Sequence, residues 1–467
     1  MIRLINILFI LLFPLINIAQ INSFNSKNIF YTNLSDVTSL SYNYKGDSVI
    51  IAPQYLSMNS FNKKDIINTC IIGVEMQASI AEKLNLRSRF DYLFLDVNSI
   101  LANYQDSLDV IPHYGNENYR VQYNFKYSLN KFIDIDFGRG SHMIGNGYRS
   151  LLLSHISPYP FLKFTTKFGR VQYYNLYAAF ENINQDYREK KKYATLHYLD
   201  IKLTNNINIG LFESIIWRSW DGNNNIGFEI GYLNPVIFYR PVEFSMGSGK
   251  ANALMGCNLS VKHKNNIFYG QFSLDDLNIS RQKDRDANYQ EGFIQNKFAY
   301  QIGMSSKFKK IGILLEYNHV KPYTYGHRSI IQNYSHNNQA LAHPFGANFK
   351  EFVCNLKYVK NKWSYNLFCN YVQIGLDSVN THYGQNIFIS EQNSSTGGGL
   401  SYGNYTTQGV LTNMIIINPE LSYKYKYFDI FSSIYYIRKK SDYLNQTSFW
   451  YSFGIRTFLF PFFPLVS

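Results

Sequence analysis

The chain has 467 residues and a net charge of +13, and 17% of it is aromatic, with 40 Tyr and 36 Phe against 12 Pro. Its four cysteines (Cys70, Cys257, Cys354, Cys369) are too few and too scattered for a disulfide framework, and no Cys/His spacing matches a zinc site. A soluble domain this rich in Tyr and Phe would expose large adhesive patches, which disfavours an ordinary soluble enzyme.

At the N-terminus Arg3 precedes an almost wholly apolar run from Leu4 to Ile16, and small and polar residues follow at Asn17 to Gln20. This is the pattern of a signal peptide spanning 1–19, cut after Ala19. The apolar run is shorter than the roughly 20 residues a spanning helix needs, and no later segment reaches that length. The mature chain is therefore expected to be exported without a membrane helix.

Residues 20–73 are Asn/Ser-rich and alternate weakly, which suggests a periplasmic leader or a plug. The segment 74–85 has Met76, Ile80 and Leu84 at helical spacing and reads as a short helix or a first strand, with helix slightly favoured. The N-terminal segment thus runs to about residue 110, and 111–467 reads as one barrel domain.

From residue 120 onward apolar and polar residues alternate with period two. Val121, Tyr123, Phe125 and Tyr127 interleave with Gln122, Asn124 and Lys126, and Trp363, Tyr365, Leu367, Cys369 and Tyr371 repeat the pattern. Period two means strands with one apolar and one wet face. Candidate strands are 120–128, 132–138, 161–168, 170–180, 195–204, 206–217, 226–232, 252–263, 266–275, 297–308, 311–320, 350–360, 363–374, 412–426, 428–438 and 447–460. Short connections at 129–131, 309–310 and 360–362 suit a periplasmic rim, and long polar ones at 182–193, 218–225, 276–295, 321–349, 375–409 and 439–446 suit the outside. About 447 residues remain after the signal, without a linker or composition break. At about 25 residues per strand and connection, that length gives an all-β, closed antiparallel transmembrane barrel of about 16–18 strands. Cys257, Cys354 and Cys369 fall on the apolar parity and read as small lipid-facing residues, with a Cys354–Cys369 bridge left open.

Alternation lapses at 137–154, 233–245, 246–256 and 333–351, stretches dense in Gly, Arg, Asn and Pro. Such lapses are where function concentrates. The first stretch lacks the Gly-Lys-Ser/Thr ending of a phosphate loop. Ser141-His142 and Ser154-His155 suggest a lipase-type pair, but adjacent strand residues point to opposite faces, so neither pair bonds internally. The residues singled out are His142, Arg149, Arg240, Glu243, Lys250 and Asn252, expected to organise the lumen or bind a ligand rather than do chemistry. Arg240 and Glu243 are expected to pair. No catalytic residue, metal or cofactor is expected.

The runs IGNGYRSLLLS, PYPFLKFTTKF, QYYNLYA, LNPVIFYRPVEFSMGSGKANALMGCNL and NYSHNNQALAHPFGANFKEF carry a resemblance. In combination they resemble the Wzi-type capsule-assembly outer-membrane family, closest to its RemB-like, gliding-associated members in Bacteroidota. The resemblance covers most of residues 110–360. It implies an 18-stranded barrel, a lumen filled by loops and helical pieces, and association with surface polysaccharide. The expected role is a non-enzymatic barrel of a Gram-negative outer membrane serving capsule or exopolysaccharide assembly, anchoring, adhesion or gliding. Expected partners are outer-membrane lipid, lipopolysaccharide, surface polysaccharide and other surface or motility proteins, but not nucleic acid. The alternative is a diffusion channel for anionic or sugar solutes, with a basic constriction built from Arg149, Arg240 and Lys250.

Overall fold

A computed structural model describes residues 40–44, 47–62, 66–97, 119–182, 190–220, 224–234, 251–277, 296–392, 403–426 and 428–457. The expected signal peptide lies outside them. Eighteen antiparallel strands form a closed cylinder. They begin with β2 (Asp47–Phe61), β3 (Ile66–Ile80), β4 (Leu84–Val97), β5 (Tyr119–Ser128), β6 (Ile133–Gly140) and β7 (Tyr159–Phe168). They continue with β8 (Val171–Glu181), β9 (Lys191–Lys202), β10 (Ile207–Arg218), β11 (Ala251–His263), β12 (Asn266–Asp276) and β13 (Lys297–Phe308). The next is β14 (Ile311–Val320), and a lumen hairpin of β15 (Ser335–His336) and β16 (Gln339–Ala340) follows it. The wall then finishes with β17 (Phe349–Lys360), β18 (Trp363–Leu376), β19 (Val410–Tyr425), β20 (Phe428–Lys440) and β21 (Asn445–Arg456).

Closure is made by β21 on the second half of β2, from Leu56 opposite Arg456 to Phe61 opposite Tyr451. A short extra strand, β1 (Leu40–Tyr44), pairs with the first half of β2 along the same side. Closing the sheet removes free edges, which hydrocarbon does not tolerate.

One rim carries tight turns, several with a left-handed first residue such as Lys264, Lys309 and Asn361. The other carries the long connections, among them 141–158, 219–250, 321–348 and 377–409. Outward residues such as Phe352, Tyr365, Ile415 and Phe453 are exposed, as a lipid belt requires. Inward residues such as Gln54, Gln271, Gln301, Glu316 and Glu351 are polar and buried. Cys354 and Cys369 lie opposite each other on β17 and β18 with both thiols free.

Three expectations are corrected. Residues 47–73 are not a plug but wall strand β2 and the start of β3, so the wall begins well before residue 111. The segment 74–85 is not helical; it finishes β3, turns, and begins β4. Its apolar residues Val74, Met76, Ala78 and Ile80 share one strand parity, so the spacing that also suits a helix marks one face of β3. The segment 226–232 alternates but is not a wall strand; it is irregular and ends in a 3-10 turn at Ile230–Leu233.

That last segment lies on the outside of the wall. The inward side chains of β8–β10, among them Leu176, Leu196 and Phe212, share the lumen cluster with Leu151–Leu153. Trp217 and Tyr193 therefore face outward, and Phe228 stacks edge-on against both, with centroids 5.2 and 5.6 Å away. Tyr232 covers Trp217 at 4.6 Å. Two layers further from the rim, Asn175, His197 and Glu213 are neighbours in register on the same outward parity, and all are buried. Polar side chains bare to acyl chains would cost several kcal/mol, so burial here is a requirement.

The lipid belt can be tested at Ile302, which is 64% exposed in mid-strand. Ile302→Arg should destabilise the barrel by about 2–4 kcal/mol and slow its insertion into vesicles. Unchanged insertion kinetics and unfolding midpoint would place that face away from lipid.

Candidate functional site

The first and fourth non-alternating stretches both fold inward. Leu151, Leu152 and Leu153 have no exposed surface and pack in one cluster with Tyr325, Tyr334, Leu341, Phe345 and Ala347. The β6–β7 and β14–β17 connections thus build a small hydrophobic core inside the cylinder. Irregular backbone buried there needs a partner for each N–H and C=O. Tyr325 and Tyr334 donate their hydroxyls to the carbonyls of Leu151 (2.8 Å) and Leu152 (2.6 Å). Ser150 Oγ accepts from the amides of Leu152 and Leu153. Ser154 N donates to Leu341 O at 2.7 Å, which joins the two loops.

The wall supplies the rest. Gln271 on β12 accepts from Leu151 N (2.8 Å) and donates to Ile144 O (3.1 Å). Gln301 on β13 donates to Arg149 O (2.9 Å). Glu316 on β14 accepts from Tyr148 N (2.7 Å) and from the Tyr269 hydroxyl (2.9 Å). Gly145, at φ +116°, lies against the Gln271 amide where a Cβ would collide.

Arg149 is the charged centre of this arrangement. Its Nη1 lies 3.0 Å from Glu351 Oε1 and 3.3 Å from His343 Nε2. His343 Nε2 is 2.7 Å from Glu351 Oε2. Asn318 and Asn370 donate to the two Glu351 oxygens at 2.8 and 2.7 Å. The Arg149 guanidinium also lies 5.1 Å from the Phe345 ring centre. Burial holds the His343 imidazole down at about 4, and the neighbouring Glu351 carboxylate only partly offsets it. His343 is therefore neutral at pH 7, and Arg149 with Glu351 is a buried, hydrogen-bonded ion pair.

The expected site residues divide into three groups. Arg149 sits at the node just described. His142 is fully buried, with Nδ1 3.1 Å from the Tyr159 hydroxyl and its ring edge-on to Phe161, and it braces the start of the loop. Asn252 donates to Gln332 O at 2.9 Å and ties β11 to the β14–β17 connection. Arg240, Glu243 and Lys250, with their expected pairing and constriction, lie outside the described residues. Glu316, Glu351, Gln271 and Gln301 were not singled out from sequence. Their only signal is a polar side chain on the inward parity, which dozens of residues share.

Ser141 meets His155, not His142, with 3.3 Å between Oγ and Nδ1. Among the described residues no carboxylate orients His155, and burial depresses its basicity to about 4. Ser154 Oγ accepts from Ser150 N and donates to Ser150 O, a local turn bond. Neither serine has the oriented base that nucleophilic catalysis requires. Among the described residues no group of His, Cys, Asp and Glu could hold a metal.

No family model matches the chain, and neither does any curated protein. Solved structures do. Wzi of Escherichia coli, a carbohydrate-binding outer-membrane β-barrel involved in group 1 capsule assembly, aligns at a TM-score of 0.56 with 12% identity. That alignment covers 86% of this chain and 83% of Wzi. OprD of Pseudomonas aeruginosa, an outer-membrane protein, aligns at 0.47 with 8% identity, over 91% of this chain and 98% of OprD. The Wzi likeness establishes a shared barrel fold.

Two outcomes follow from the lumen network. Glu351→Ala leaves Arg149 buried without its anion and should cost about 3–5 kcal/mol. The variant should unfold on heated gels at a clearly lower temperature than the native barrel; an unchanged transition would remove the node from the stability of the fold. Acid should act in the same direction. His142, His155, His327, His336 and His343, all in connections or the lumen hairpin, are held below the ordinary histidine range by burial. Depressed pKa values mean the unfolded chain takes up protons first, so their contribution is complete above about pH 6.5 and is lost as pH falls towards 4. The gel transition temperature should be nearly level at pH 7.5 and fall from about pH 6.5 to pH 4.5, and a flat profile across that lower range would contradict the neutral, buried assignment.

Proposed function

We propose that this protein is a non-enzymatic barrel of a Gram-negative outer membrane that associates with cell-surface polysaccharide, in capsule or exopolysaccharide assembly or anchoring. The observation that carries this reading is the packed lumen, with three fully buried leucines and an ion pair held across several wall strands. A lumen built this way serves a binding or anchoring body better than a diffusion path. The carbohydrate-binding description of Wzi supports the reading, because that barrel shares the fold. The resemblance of the 144–178 and 233–259 motifs to RemB-like proteins extends the proposal to adhesion or gliding. Lipopolysaccharide and surface or motility proteins are the partners this placement brings within reach. In this reading His142, Arg149 and Asn252 organise the lumen, as do Arg240, Glu243 and Lys250, and none carries out chemistry.

A deletion strain should lose or shed surface polysaccharide on staining, with recovery on complementation. Purified barrel in planar bilayers should give no steady large conductance. Unaltered polysaccharide together with large, salt-dependent openings would favour the solute-channel reading instead.

A further inference from the structure

The shortest wall strand is β6, with 8 residues, and β7 beside it has 10. On the long-connection side, pairing of β5 with β6 stops at Tyr123, and pairing of β7 with β8 stops at Phe161 opposite Ala178. Pro158 and Pro160 have no N–H to extend the ladder there. The upper ends of β5 and β8 therefore stand on either side of a notch, which holds a cavity of about 460 Å³.

Its lining is strongly basic. Among the described residues it is lined by Arg120, Arg139, Lys190, Lys191 and Lys192 and by one carboxylate, Glu181. Arg120 shares the buried Asp91 with Arg89. Lys192 Nζ is fully buried and bonds only neutral acceptors, Asn333 O, Asn333 Oδ1 and Ser335 Oγ. Among the described residues it has no carboxylate partner. The cations come from both faces of the wall, since Lys192 is buried while its neighbour Lys191 is exposed on the opposite parity. Ser157 also lines the cavity, and its buried hydroxyl has no hydrogen-bond partner among the described residues. An unsatisfied hydroxyl beside an excess of positive charge is the complement of an anionic, hydroxylated ligand. The cavity volume suits one or two sugar rings.

We propose that this notch binds the acid group of an acidic saccharide, a sugar bearing carboxylate or phosphate, with Lys191 and Arg139 as charge partners and Ser157 as a neutral hydrogen-bond partner. The inference rests on the polysaccharide reading above and adds to it a place and a chemical class. The same chemistry is offered by a free acidic glycan and by the phosphorylated core of lipopolysaccharide.

The test uses the full-length barrel in detergent and isothermal titration with three probes. These are trigalacturonate, the phosphorylated core oligosaccharide released from lipopolysaccharide, and neutral maltotriose. The native protein should bind at least one acidic probe, and more weakly as salt is raised. Arg139→Glu combined with Lys191→Glu should weaken that binding at least tenfold. Lys262→Glu, at the turn rim, should leave it unchanged. The tighter acidic probe identifies the source. Retention of full affinity in the double variant, with normal heat mobility, would overturn the site while leaving polysaccharide association standing. Binding of maltotriose alone would overturn the acidic class only. Binding of no saccharide would overturn both this inference and the reading beneath it.

Discussion

The whole interior depends on one constraint: irregular backbone at membrane depth must find every hydrogen bond inside the protein. Strands of a closed barrel satisfy this among themselves. Two long connections folded into the lumen do not, and their amides and carbonyls would each carry a desolvation penalty of about 1–3 kcal/mol if left unpaired. The wall meets this need with long polar side chains. Gln271 alone holds Leu151 N and Ile144 O, and Gln301 holds Arg149 O. The loops return the favour only partly, through Tyr325 and Tyr334 capping the carbonyls of the leucine run. Position therefore comes from polar geometry, and the three leucines fill the space that geometry defines.

The ion pair at the centre has a different role. Burying Arg149 and Glu351 costs several kcal/mol per charge before they attract each other. Its net contribution to stability is accordingly modest, whereas its contribution to uniqueness is large. Glu351 is bonded to Arg149, His343, Asn318 and Asn370 at once, so a shifted loop would leave a carboxylate stranded. His343 accepts from Phe345 N at Nδ1 and donates from Nε2 to Glu351, without adding a charge of its own at neutral pH.

Much of this was legible from period two, and the failures have particular causes. Fifteen wall strands were found because their faces differ in polarity. The first half of β3 was missed because both of its faces carry isoleucine there, inward at Ile67 and Ile71 and outward at Ile66 and Ile72, which erases the alternation. The segment 226–232 alternated and still was not a wall strand. Its Phe228 and Tyr232 turn towards Trp217 on the outer wall. Periodicity reports that one face is buried, not what buries it. The lapses at 137–154 and 333–351 did mark the lumen, and Arg149 was identified. Its partner was not, because Glu351 lies 202 positions away on a strand that looks like any other.

The distribution of charge ties these points together. A chain at +13 has cations enough for the basic constriction that the channel alternative requires. Within the described lumen the cations are instead largely answered. Arg149 meets Glu351, Arg87 meets Glu75, and Arg456 meets Glu420. Lys297 alone lies within 3.7 Å of Asp275 and closer still to Asp276 and Glu391. Low dielectric enforces this, because an unanswered charge deep in the cylinder would be too costly to keep. Positive charge collects instead beside the notch at β6, where Lys191 is exposed and Arg139 is half-buried. Ser157 lies beside them without a hydrogen-bond partner among the described residues. Electrostatic attraction for an anion is thus displaced from the lumen centre to a notch in the rim, where a surface polymer could be held without passing through the barrel.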